Sequence, residues 1–165
     1  CEDAYDAQSW CLACLGREQE ALKAAERVVE LSRPKGLRAR GHVKLIAGHY
    51  EAGFTDLKEA FRLQPENAGW ANQLAWMRAV LPDPAVRNPV EAIHYAQIAC
   101  RLTDNKNWGF LNTLAAALAD AGRWDEAVRL QQKVVTAAGE DAGEFQAHLE
   151  LFRNHKPCRK EYADL

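Results

Sequence analysis

One short motif recurs four times along the 165-residue chain, and a repeat of this kind constrains the fold more tightly than any single residue does. The copies are Gly16-Arg17-Glu18-Gln19-Glu20-Ala21, Gly48-His49-Tyr50-Glu51-Ala52-Gly53, Asn88-Pro89-Val90-Glu91-Ala92 and Gly122-Arg123-Trp124-Asp125-Glu126-Ala127. Each sets a short polar stretch before a small residue (Ala21, Gly53, Ala92 or Ala127), and the third copy has lost its leading Gly. Seven positions beyond that residue stand Val28, Ala60, Ala99 and Val134, and ten positions beyond stand Leu31, Leu63, Leu102 and Ala137. Spacings of seven and ten fall on one face of a helix.

Upstream of each motif lies a further apolar helical pattern, predicted over Tyr5–Leu15, Leu37–Ala47, Trp70–Leu81 and Phe110–Ala121. The unit is therefore a helical hairpin, and the four are expected at about 4–32, 35–64, 68–103 and 108–138. The small residues recur at intervals of 32, 39 and 35. The long middle interval holds Pro82, Pro84 and Pro89, which cannot continue a helix interior and mark an inserted loop. Phe145, Leu149, Leu151 and Phe152 predict a last helix over 140–154 that caps the fourth hairpin. The polar segment 155–165 is expected to be extended or frayed.

These residues resemble the tetratricopeptide repeat, a helix-turn-helix unit of about 34 residues. The closest matches are Gly122–Ala127 and Ala60–Asn67. Leu74-Ala75-Trp76, Pro82-Asp83-Pro84, Leu111–Ala117 and Leu149–Phe152 look like C-terminal repeats of large multi-domain bacterial proteins, as found in planctomycetes. The resemblance implies an all-α solenoid of four hairpins plus a capping helix. One hairpin cannot bury both of its apolar faces alone, so each leans on its neighbours.

The same resemblance implies a non-enzymatic scaffold that holds an extended peptide or partner segment on a concave surface lined by the first helices. Carried onto this chain, the inner row is Asp6 and Trp10, Arg38 and His42, Asn72, Gln73 and Trp76, and Asn112 and Thr113. Aromatic, amide and cationic groups supply flat apolar contact and hydrogen bonds to a peptide backbone. Packing of Trp10 and Trp76 between hairpins is the competing reading. A Lys/Asn clamp for a C-terminal carboxylate, known in some relatives, is disfavoured, because Asp6 and Trp10 occupy those places.

Between Glu30 and Glu51 the chain carries Arg33, Lys35, Arg38, Arg40, Lys44 and two histidines without one acid. This stretch is the candidate for an acidic or nucleic-acid partner, against a solvated helix face. Across the chain, 21 Lys and Arg balance 23 Asp and Glu, a formal charge of -2, so nucleic acid is the weaker of the two. A third expectation is a structural one: self-association, or a spacer within a longer protein.

Hydrophobic residues make up 48% of the chain, enough for a folded core, and no apolar run reaches membrane-spanning length. The helical pattern starts close behind Cys1, which predicts a truncated or processed chain; a lipid-anchored N-terminal Cys is the lesser alternative. Five scattered cysteines favour a reducing, cytoplasmic setting. Trp10-Cys11-Leu12-Ala13-Cys14 has the letters of a dithiol redox motif but lies inside a helix, so Cys11 and Cys14 are expected in the core. The pair His155 and Cys158 lacks further ligands for a metal, and Cys100 and His94 share a helix face only loosely. No catalytic constellation, cofactor motif or metal motif stands out.

Overall fold

The computed structural model describes residues 2–160, so Cys1 and residues 161–165 of the expected tail lie outside it. The described residues are all-helical: α1 (Glu2–Cys14), α2 (Glu18–Leu31), α3 (Arg33–Ile46), α4 (Tyr50–Leu63), α5 (Ala68–Val80), α6 (Pro89–Leu102), α7 (Trp108–Asp120), α8 (Trp124–Ala138) and α9 (Gly143–Arg153). Consecutive helices pair as four antiparallel hairpins, and α9 packs on α8. The chain divides between Pro65 and Glu66 into two compact units of two hairpins each.

Three of the four hairpins turn in the same way. Gly16, Gly48 and Gly122 adopt φ of +73°, +84° and +74°, a left-handed conformation that costs glycine nothing. The following residue then donates its N–H back into the last helical turn, as Arg17 does to Leu12 O at 2.9 Å, His49 to Lys44 O at 2.8 Å and Arg123 to Leu118 O at 2.9 Å. The third hairpin, without that glycine, connects through residues 81–88. Buried Arg78 staples this loop: its Nη1 donates to Val86 O at 2.8 Å and its Nε lies 3.0 Å from Glu91 Oε2. Asn88 caps α6 by accepting from the Glu91 N–H at 3.0 Å.

The small residues after each turn are where helices approach most closely. Ala21, Ala92 and Ala127 are wholly buried. Between α3 and α4, a Cβ added at Gly53 would sit 2.8 Å from Gly41 O, and one added at Gly41 would sit 2.9 Å from Gly53 O. In the first unit, Ala13, Ala21, Ala25, Ala39 and Val43 form a compact seam across three helices. The second unit centres on Val80, Ala92, Ala115–Ala119, Ala127 and Phe152.

Several expected bounds, and the tail, need correction: α1 and α3 begin at Glu2 and Arg33, ahead of Tyr5 and Leu37, and the last α-helix spans Gly143–Arg153 within the expected 140–154. Helices α5 and α7 begin two residues ahead of Trp70 and Phe110, because Asn67 and Asn107 cap them by accepting from the Trp70 and Phe110 N–H groups at 3.1 Å. Over residues 156–160 the tail has no regular structure but is not frayed. Lys160 N–H donates to Val80 O at 3.0 Å, Arg159 reaches Ala79 O and Asp120, and Cys158 is buried. The tail thereby satisfies carbonyls that the end of α5 leaves without helical partners.

Candidate functional site

In the second unit, α5 and α7 pack side by side. Gly69, Asn72, Gln73 and Trp76 of α5 and Gly109, Asn112 and Thr113 of α7 line one open cavity of about 580 Å³. Glu144 and Phe145 of α9 and Lys160 of the tail complete its wall. All five candidates that the sequence placed on α5 and α7 thus border one space. Asn112 and Thr113 are buried, whereas Asn72, Gln73 and Trp76 are half-buried. Thr113 Oγ1 donates to Gly109 O at 3.1 Å, a bond within its own helix. Trp76 also packs on the core cluster, so packing and lining are both true of it.

Behind the wall runs a buried polar chain whose hydrogen positions can be deduced from one carbonyl. Gln131 Nε2 lies 2.8 Å from Phe145 O, and a carbonyl only accepts, so that end of Gln131 is the donor. The same Nε2 donates to Asn112 Oδ1 at 2.9 Å, which makes that atom the acceptor. His148 Nδ1, 2.8 Å from Asn112 Oδ1, must therefore carry a proton. Its Nε2 is left to accept from the Cys158 thiol at 3.4 Å. Burial pushes the His148 pKa down, with Glu144 raising it and Lys160 lowering it, and burial pushes the Cys158 thiol up to about 11. A neutral imidazole and a protonated thiol are what this chain of bonds needs. With Oδ1 doubly occupied, Asn112 has its Nδ2 to offer the cavity. Across from it, Asn72 carries a buried Oδ1 with no hydrogen-bond partner.

In the first unit, Asp3, Asp6, Ser9, Trp10, Arg38 and His42 border a separate cavity of about 320 Å³. Trp10 is 38% exposed and meets buried His42 edge-on, with ring centroids 5.7 Å apart. Arg38 Nη2 donates to Asp6 Oδ2 at 2.6 Å, so two residues of the expected inner row neutralise each other.

The basic stretch behaves likewise. Arg40 bonds Asp56 and Glu26, and Lys44 reaches Asp56 at 2.7 Å. Acid-free in sequence, it is supplied with acids by α1, α2 and α4 in space.

The cysteine expectation is corrected for α1. Cys11 and Cys14 are exposed, because the helix buries the edge that carries Ser9 and Ala13 and both thiols lie off it. Cys100 is buried while His94 is exposed against Tyr95, so these two do not converge. His155 stacks on Trp124 at 5.4 Å, whereas Cys158 turns to His148. Among the described residues no group of three or more His, Cys, Asp or Glu side chains is placed to hold a metal ion.

Sequence reading missed His148, Gln131 and Cys158 behind the cavity, and Glu144 and Lys160 at its rim. The available signals were the four-residue step from Glu144 to His148 and an amide, Gln131, inside an apolar helix stripe.

Paired antiparallel helices with glycine turns and a small-residue seam define a helical-repeat fold of the tetratricopeptide type. Residues 110–139 match the tetratricopeptide repeat family. No curated protein matches the sequence significantly. Among solved structures, the chain is similar to TTC0263, a thermophilic TPR protein of Thermus thermophilus, at 18% identity and a TM-score of 0.65, covering 93% of this chain and 82% of that one. It is also similar to MamA from MSR-1 (19% identity, TM-score 0.59, 93% and 91% covered) and from AMB-1 (19%, 0.58, 93% and 87%). These likenesses establish the fold. No helix among the described residues is long and apolar enough to cross a membrane.

Proposed function

We propose that this chain is a protein-interaction scaffold without catalytic activity, and that the cavity between α5 and α7 receives an extended segment of a protein partner. The observation that carries this reading is the pairing of Asn112, whose Nδ2 is available to donate, with Asn72, whose buried Oδ1 lacks a donor. An extended peptide offers carbonyl and N–H groups along its length to the two amides that border this cavity, and its side chains can meet the Trp76 ring. An unmet buried acceptor costs about 1–3 kcal/mol, and a ligand N–H recovers that cost once the Asn72 amide turns its oxygen toward the cavity. Gln73 and Thr113 complete the contact row. Trp10, Arg38 and His42 are assigned the same role at the first unit's cavity, where the exposed tryptophan face is the main contact.

The pairing of Arg40 and Lys44 with Asp56 speaks against the acidic or nucleic-acid partner, since those charges are already compensated.

Screening a positional-scanning library of dodecapeptides against the wild-type chain tests the reading. Peptides recovered by the wild type are expected to lose about tenfold in affinity with Asn72→Ala, the worth of one well-placed hydrogen bond. Equal recovery by wild type and Asn72→Ala, or no recovery at all, overturns it.

A further inference from the structure

We propose that His148 is a positioning residue of the α5–α7 cavity: held as its Nδ1–H tautomer by the Cys158 thiol, it locks the Asn112 carbonyl inward and so fixes which end of that amide meets a ligand. The inference rests on the reading of the cavity as a peptide site and adds its polarity. A primary amide can flip and present either end, so an unrestrained Asn recognises donors and acceptors alike. Here Asn112 Oδ1 accepts from Gln131 at 2.9 Å and from His148 at 2.8 Å, and a flip would turn its NH2 against two donors. The cavity therefore offers an N–H at α7 and selects a carbonyl or carboxylate oxygen there.

His148 can hold this position only in one of its two neutral forms. Free imidazole does not fix which ring nitrogen carries the proton, so its partners choose: the Asn112 Oδ1 acceptor calls for a donor at Nδ1, and the Cys158 thiol 3.4 Å from Nε2 supplies the matching donor there. The tail delivers that thiol. Cys158 is seated among the core residues of the second unit, and the chain beyond it is tied by the Lys160 N–H to Val80 O. The C-terminal segment thus lines the cavity directly with Lys160 and also reaches Asn112 from behind through Cys158 and His148, neither of which lines it.

Protonation of His148 would place a charge in a site that is only 4% exposed. The charged groups around it are Glu144 on its own helix, 4.0 Å from Nε2, and Lys160 of the tail, itself 3.3 Å from Glu144. Helices α5, α7 and α8 face it with Trp76, Asn112 and Gln131, none of which titrates near neutral pH. Acidification adds the proton at Nε2, where it meets the Cys158 thiol and the Glu144 carboxylate that Lys160 already engages, while Nδ1–H keeps its bond to Asn112.

Two arms separate this inference from the peptide reading. In the ligand-free protein, ¹⁵N NMR of His148 should report the Nδ1–H tautomer at pH 7.5. Fluorescence of the wild type minus that of His148→Asn should show Trp76, whose ring centroid is 6.0 Å from His148, quenched as the pH falls below the ordinary His range. In the second arm, the best dodecapeptides are titrated against His148→Leu, which removes the donor, and His148→Asn, which returns an N–H near the Nδ1 position. His148→Leu should lose about tenfold in affinity and His148→Asn should recover most of it at equal melting temperature. An Nε2–H tautomer, or equal binding by both variants, overturns the inference. If no peptide binds but the tautomer is Nδ1–H, the peptide reading fails while the positioning of Asn112 stands.

Discussion

Arg40 and Asp56 face each other across the α3–α4 hairpin in a two-point contact, with Nε to Oδ2 at 2.7 Å and Nη2 to Oδ1 at 2.8 Å. Parallel guanidinium–carboxylate bonds of this kind fix geometry as well as charge. Lys44 joins on the same Oδ2, so a single acid at 9% side-chain exposure pairs with two cations of the basic stretch, and Glu26 brings Arg40 a second carboxylate. Burial acts to raise the Asp56 pKa, but the hydrogen bonds from Arg40 and Lys44 outweigh it and hold the carboxyl below its ordinary range.

Replacing Asp56 with Asn should therefore destabilise the first unit by about 2 kcal/mol. That is less than the 3–5 kcal/mol typical of breaking a fully buried pair, because Arg40 and Lys44 stay 24% exposed to water. A depressed folded-state pKa means that the Asp56 contribution is complete above the ordinary Asp value and is lost as pH falls through the folded one. Urea unfolding at pH 7 and pH 3 should show a smaller acid loss for Asp56→Asn than for the wild type.

Gly41 and Gly53 set the α3–α4 crossing, where an added Cβ meets backbone on the facing helix at under 3.0 Å. Gly53→Ala should cost about 1–3 kcal/mol by forcing the helices apart. At about 2–4 °C per kcal/mol for a chain of this size, calorimetry would show a fall of several degrees. By contrast, Ala52→Ser, at an exposed position on α4, should leave the transition within a degree.

The tail can be probed through Arg159, which bonds Ala79 O and Asp120. Arg159→Ala should free the Lys160 amide and speed its hydrogen exchange, while amides at the centre of α2 in the first unit keep their protection. Unchanged exchange at Lys160 would show that the tail is held without that contact.

Thiol chemistry should follow position rather than number. Cys11 and Cys14 are exposed, and Cys100 and Cys158 are buried with their thiols pushed up to about 11. A maleimide at pH 7 should label the first two within minutes and the others only after unfolding, as read by peptide mass spectrometry.

The sign for His148 is opposite in origin to a paired acid but similar in consequence. Its folded pKa is lowered mainly by burial, so its stabilising effect is present above the ordinary His value and is lost as pH falls through the folded one. Wild-type stability should fall as the pH drops below the ordinary His range. In His148→Asn that slope should flatten; an identical slope would place the acid sensitivity elsewhere.

The hairpins were legible in the sequence because glycine turns and small residues leave a local signature, seen at Gly16, Gly48, Gly122 and Ala127. The likeness to the family repeat assigned Asn72, Gln73, Trp76, Asn112 and Thr113 to one row, and these five residues border one cavity. Partnership was not legible. Arg38 meets Asp6 from 32 residues away, and Cys158 meets His148 only because the tail folds back, a placement decided by packing at the end of α5. Exposure of Cys11 and Cys14 was misjudged because α1 buries one narrow edge, and apolar composition does not say which edge that is.

The connector of the third hairpin differs from the other three in one practical respect. Arg78 and Asn88 clasp its two ends, while Pro82, Asp83, Pro84 and Ala85 stand out in solvent. A peptide tag or fluorophore grafted between Pro82 and Ala85 would be carried on an anchored stem, giving this chain a labelling position remote from the backbone bonds that shape the helices.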